Sequence, residues 1–63
     1  MEAKITFTTD SAFIVVEVTH DGTEPNSAIY SFAEKFLTES RLYDFEITDI
    51  KWKKGVTRFY AEA

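Results

Sequence analysis

In one stretch only does the chain keep a helical rhythm. Ile29, Phe32, Ala33, Phe36 and Leu37 fall at i, i+3, i+4, i+7 and i+8, which winds them into a single apolar stripe along an α-helix. Ser31, Glu34, Lys35 and Thr38 take the far side and meet water. On either side of this segment the apolar period drops to two, the spacing of strands. One helix shelters one face of a sheet, so the pattern predicts an α+β domain with half of its sheet surface left to solvent or to a partner.

Before the helix, Ala3, Ile5 and Phe7 alternate with Lys4, Thr6 and Thr8 as a first strand, and Phe13 to Thr19 supplies the β-branched residues of a second. A two-residue loop at Asp10-Ser11 sets Phe7 opposite Ile14, Ile5 opposite Val16 and Ala3 opposite Val18 on one face. The other face then pairs Thr8 with Phe13, Thr6 with Val15 and Lys4 with Glu17, the last as a cross-strand ion pair. Pro25 with Asn26 or Ser27 marks the helix entrance, where either side chain can cap exposed amides, and the helix runs out near Ser40 or Arg41.

After the helix, Tyr43 to Ile47 alternates cleanly, but Ile50 and Trp52 fall on the other parity. A bulge near Thr48 and Asp49 restores the phase within a third strand. Lys54-Gly55 turns the chain into a fourth, Val56 to Glu62, pairing Ile50 with Phe59, Trp52 with Thr57, Lys51 with Arg58, Lys53 with Val56 and Asp49 with Tyr60. Trp52 and Phe59 are thereby expected inside; Lys51, Lys53, Arg58 and Tyr60 point outward.

The layout is a ββαββ single domain spanning residues 1–63. Over nearly its whole length this element order resembles the small β-grasp arrangement of bacterial immunoglobulin-binding domains. The resemblance implies parallel central strands, the first beside the fourth, in spatial order 2-1-4-3. It also brings immunoglobulin binding into view by layout, with no residue motif behind it. A purely sequential antiparallel sheet is the alternative.

A chain of 63 residues without cysteine must hold itself together by apolar burial. Six phenylalanines, three tyrosines and one tryptophan supply the area. The longest apolar run, Ala12 to Val16, is far below the roughly 20 residues of a membrane span. No secretory leader is evident, so a cytoplasmic setting is the default. Charge is split: residues 1–50 carry three basic and ten acidic side chains, whereas residues 51–63 carry four basic and one acidic.

The second strand is apolar on both faces, which solvent alone does not require. With the helix on one side, Phe13, Val15 and Tyr60 remain on the open face, beside Lys51, Lys53 and Arg58. These six residues are the candidate contact surface of a small acidic, non-enzymatic protein-binding module, with inhibition of a macromolecular partner as the expected mode of action. Apolar anchors bury against a partner protein while the cations orient on its acidic region. The free edge of the second strand offers strand addition as another mode, and a homodimer satisfies the same surface.

Two other readings concern charge. Asp10, Asp21, Glu24, Glu34, Glu39, Asp44 and Glu46 can imitate phosphates, as in small acidic phage inhibitors of the anti-restriction and anti-CRISPR classes, which are similar in size and charge. Conversely, the basic hairpin can contact nucleic acid with Tyr60 stacking on a base. The net charge of −4 and the expected burial of Trp52 speak against that.

Catalysis finds little foothold. His20 is a lone histidine in a connection with no evident nucleophile, and Asp44 and Glu46 share one face of the expected third strand. The sequence contains no HExxH, CxxC, calcium-loop or phosphate-loop spacing, so no cofactor, metal or small-molecule substrate is expected. So short a chain also leaves little volume for a ligand cleft of about 300 Å³.

Overall fold

The computed structural model describes residues 1–8 and 12–63. Four strands and one helix follow in the order β1 (Glu2–Phe7), β2 (Phe13–Thr19), α1 (Asn26–Glu39), β3 (Glu46–Lys51) and β4 (Val56–Glu62). The helical stripe lands as its spacing requires: Ile29, Ala33 and Leu37 are buried, while Phe32 and Phe36 pack half-buried against the core. Facing them across the sheet are Ile14, Val16 and Val18 of β2 and Phe59 and Ala61 of β4. Each of these five strand residues is fully shielded from solvent.

Both hairpins adopt the predicted registers over the strands that form, but β3 ends at Lys51, so the expected pairs Trp52–Thr57 and Lys53–Val56 are not part of the ladder. Phe7 stands opposite Ile14, Ile5 opposite Val16, Ala3 opposite Val18, Thr6 opposite Val15 and Lys4 opposite Glu17. The Asp10-Ser11 turn itself lies outside the described residues. In the second hairpin Ile50 pairs with Phe59, Lys51 with Arg58 and Asp49 with Tyr60, and the register shifts between Ile47 and Asp49 at the expected bulge.

The joint between the hairpins differs from expectation. The sheet order is β1-β2-β4-β3, antiparallel throughout, in place of 2-1-4-3 with the first and fourth strands parallel. Because β4 is antiparallel to both neighbours, β2 and β3 run parallel with β4 inserted between them, and α1 makes the crossover. Burial explains the choice. Ile14, Val16 and Val18 all reach full burial at the centre, whereas β1 is half-shielded at Ala3 and Ile5 and leaves Phe7 61% exposed. The more apolar strand takes the middle. Bonds from Ala63 N–H to Ala12 O at 2.9 Å and from His20 N–H to Gly55 O at 2.9 Å extend the β2–β4 ladder beyond both ends of the strands. No edge of β2 is left for strand addition.

Helix boundaries also depart from the sequence reading. Pro25 takes the N-cap position, and neither Asn26 nor Ser27 caps with its side chain; Ala28 N–H instead donates to Pro25 O at 3.0 Å. At the far end Arg41 adopts φ 62°, with Arg41 N–H bonded to Thr38 O and Leu42 N–H to Leu37 O, each at 3.0 Å. This is a Schellman closure with arginine where glycine is usual. It carries the chain through a turn at Tyr43-Asp44, so β3 starts only at Glu46, and Asp44 and Glu46 do not share a strand face. No described helix is long and apolar enough to cross a membrane.

Candidate functional site

The helix packs on the sheet face of Val16 and Phe59, and among the described residues no second layer lies over the other face. Placing β2 beside β4 organises that open face into rows across the strands. The middle row reads Thr6, Val15, Tyr60, Asp49. On one side of it lies Lys4, Glu17, Arg58, Lys51; on the other Phe13 stands opposite Glu62, which stands opposite Glu46.

Phe13, Val15 and Tyr60 therefore form one contiguous patch. The rings of Phe13 and Tyr60 stack with centroids 6.1 Å apart and planes inclined by 28°, and Val15 is Tyr60's direct cross-strand neighbour. All three are half-buried because they cover one another. In the expected order 2-1-4-3, β1 would have separated Phe13 and Val15 from Tyr60. The residues were identifiable from sequence; their contact was not.

The cations divide. Arg58 Nε lies 3.1 Å from Glu17 Oε1, so the ion pair of Glu17 runs to Arg58 on one flank while Lys4 stands in register on the other. Lys51 is exposed beside Arg58 in the same row. Lys53 lies past the end of β3, away from the patch, and lines a groove with His20, Glu24, Lys54 and Thr57. Gly22, at φ 85°, lets Lys54 close over this end: a Cβ there would stand 2.9 Å from Lys54 Cγ.

Trp52 corrects a further expectation. Parity placed it in the core, but β3 ends at Lys51 and the indole sits at the rim, 42% exposed, meeting Phe59 edge-on with centroids 5.9 Å apart. Phe59 is inside as expected.

Sequence reading missed the environment of His20. Its side chain is 4% exposed, with Nε2 2.9 Å from Thr57 Oγ1 and Nδ1 3.7 Å from Glu24 Oε2. A hydroxyl, an imidazole and a carboxylate in line invite comparison with a nucleophile triad, so the direction of the hydrogen bonds matters. Gly22 N–H donates to Nδ1 at 3.1 Å. The ring proton then sits on Nε2 and is donated to Thr57 Oγ1, whose own proton goes to Lys53 O at 3.3 Å. An imidazole that donates to the hydroxyl cannot be its general base. Thr57 is, besides, fully shielded. The array ties the β2–α1 connection to the start of β4. Its loose end is Glu24 Oε2, buried without a hydrogen-bond partner.

Of the other described carboxylates, Asp21 and Glu39 are engaged within the chain. Asp21 Oδ1 accepts from Thr23 Oγ1–H at 2.6 Å and Thr23 N–H at 2.9 Å, and these bonds, the hydroxyl's foremost, lower its pKa from 3.8 to about 2. Glu39 lies 3.9 Å from Lys35 along the helix. Open grooves of about 420 and 410 Å³ occur beside Tyr30 and Tyr43 and beside His20 and Trp52, so volume alone does not exclude a small ligand. Among the described residues no three His, Asp or Glu side chains gather so as to hold a metal ion.

Comparison with known proteins finds no family model, no curated protein and no solved structure that matches this chain.

Proposed function

We propose that this chain is a small non-enzymatic binding module that recognises another protein through its open sheet face, and that it can inhibit that partner by covering it. The observation that carries this reading is the patch of Phe13, Val15 and Tyr60 on the sheet face opposite the helix. An apolar cluster with two stacked rings, rimmed by Lys51 and Arg58 on one side and Glu46 and Glu62 on the other, has the layout of a contact centre with a polar border. The rim selects orientation more than it adds affinity. A cytoplasmic setting accords with the lack of cysteine.

The test is affinity capture from cell lysate with the wild type and a Phe13→Ser/Tyr60→Ser variant, both checked for fold by circular dichroism. Loss of the captured protein by a folded variant supports the face. Equal capture by both rules it out.

A second reading draws on Trp52. Exposed beside Lys51, Lys53 and Lys54, it gives the basic hairpin a ring on which a nucleic-acid base can stack. As the single tryptophan it reports directly. Titration with single-stranded oligonucleotide should quench its fluorescence, and the quench should fade with added salt. Unchanged emission at low salt removes this reading.

A further inference from the structure

The open face carries two adverse pairs in mirror positions. Lys51 stands directly across from Arg58, and Glu46 directly across from Glu62. Like charges so placed destabilise a sheet. Both pairs lie between the same two strands, and along β4 each sits two residues from Tyr60, on opposite sides. The row of Thr6, Val15, Tyr60 and Asp49 thus separates Lys4, Arg58 and Lys51, a row that stays net cationic although Glu17 within it pairs with Arg58, from the anionic Glu46 and Glu62.

We propose that the occupant of this face is a second copy of the same chain, stacked sheet on sheet about a two-fold axis that runs along the Val15–Tyr60 row. The proposal rests on the open-face reading above, the second copy taking that face when no other protein covers it. An axis lying across the strands reverses the strand direction and leaves the strand order unchanged. It therefore sets β4 over β4, with Lys51 and Arg58 of each copy above Glu46 and Glu62 of the other. Val15 and Tyr60 meet their own images on the axis, as an isologous contact demands. Sheets stack about 10 Å apart, a gap that lysine, arginine and glutamate side chains span together. Arg58 keeps Glu17 as a neighbour, and its exposed remainder faces the opposing copy. Lys4 adds to the cationic row. Asp49, at the exposed end of the axis row, already accepts a hydrogen bond from Ile50 N–H at 2.9 Å.

The face is small. Four strands about 4.8 Å apart and about 20 Å long present roughly 400 Å² on each copy, at the weak and transient end of protein interfaces. Dimerisation is accordingly expected at high protein concentration and low salt.

Sedimentation equilibrium from about 10 μM to about 1 mM tests this directly. The wild type should move from the 7.3 kDa monomer toward twice that mass, and added salt should move it back. Lys51→Glu alone and Glu46→Lys alone should each stay monomeric, since two cations or two anions then lack their counterparts. Each reversal also removes an adverse pair within the chain, so these variants should melt no lower than the wild type, and unfolding does not explain a lost dimer. The two single variants mixed in equal amounts should dimerise with one another, as should the Lys51→Glu/Glu46→Lys double variant with itself. A wild type that stays monomeric, single variants that associate as the wild type does, or a mixture that fails to associate overturns the proposal. A monomeric wild type whose captured partner is lost on Phe13→Ser/Tyr60→Ser refutes the second copy and leaves the face as a binding surface. Unchanged capture by that variant refutes the face itself.

Discussion

Thr57 is the buried polar side chain of the described core, and it is tolerable there because both its donor and its acceptor capacity are used, by Lys53 O and His20 Nε2–H. Thr57→Val keeps the shape but strands the imidazole N–H and a carbonyl, and should cost about 1–3 kcal/mol in urea unfolding. A loss within experimental error would show that the bond contributes nothing to the fold. Asp21 supplies a pH-dependent counterpart on the adjacent turn. Its pKa is lowered in the folded chain to about 2, so its ionised form favours folding. That contribution is complete above the unfolded value near 3.8 and fades as pH falls through about 2. The carboxyl carbon of Asp21, followed by NMR, should titrate near 2, and Thr23→Val should raise the midpoint toward 3.8, because the Thr23 hydroxyl is the largest cause of the shift. A midpoint indifferent to that substitution would assign the shift elsewhere.

Among the elements, β2 has the decisive position. With β1 on one flank and β4 on the other, every amide from Ile14 to Val18 lies within paired strand, whereas edge strand β1 can bond only on its β2 side. Hydrogen exchange should therefore protect consecutive amides along β2 and alternate amides along β1; the reverse pattern would restore the order with β1 inside. Exchange is the right probe because this joint is where the sequence was least legible. Alternation within a hairpin is local, so Phe7 against Ile14 and Lys51 against Arg58 could be read from turn length and parity alone. So could the bulge, since Ile47 and Ile50 share a face only if one residue is extra. Joining the hairpins is a non-local matter, and either order leaves every alternation intact. The signal available was the two-sided apolarity of β2, which suggested a surface for a partner. It serves equally well for a central strand that packs Val16 against Phe59 beneath and Val15 against Tyr60 above. The candidate site was legible as the outward residues Phe13, Val15 and Tyr60, and not as a patch. Trp52 was misplaced because parity was extended past the end of β3, and His20 because its partner Thr57 is 37 residues away in sequence.

For the molecule as a whole, so few residues are fully shielded that one ring organises the interior. Phe59 has no exposed surface and is the largest of the fully buried side chains, with Tyr30 edge-on at 6.1 Å and Trp52 edge-on at 5.9 Å. It stands between Val16 on one strand and Ile50 on the other, the point where both hairpins and the aromatic rim converge. Typical stability per residue gives a chain of 63 residues only roughly 3–9 kcal/mol in total. Replacing a buried phenylalanine by alanine removes about 3–5 kcal/mol, a loss of the same order as the whole. Phe59→Ala should therefore lack a cooperative thermal transition. Phe59→Leu, which refills most of the space for about 1–2 kcal/mol, should stay folded and melt roughly 5–15 °C lower. The open-face variants Phe13→Ser and Tyr60→Ser act on half-buried rings above the sheet and should leave the transition cooperative. If Phe59→Ala instead melted like the wild type, the hairpins would have to be held together by something other than the core beneath them, and the division of the sheet into a sealed face and an available one would fail with it.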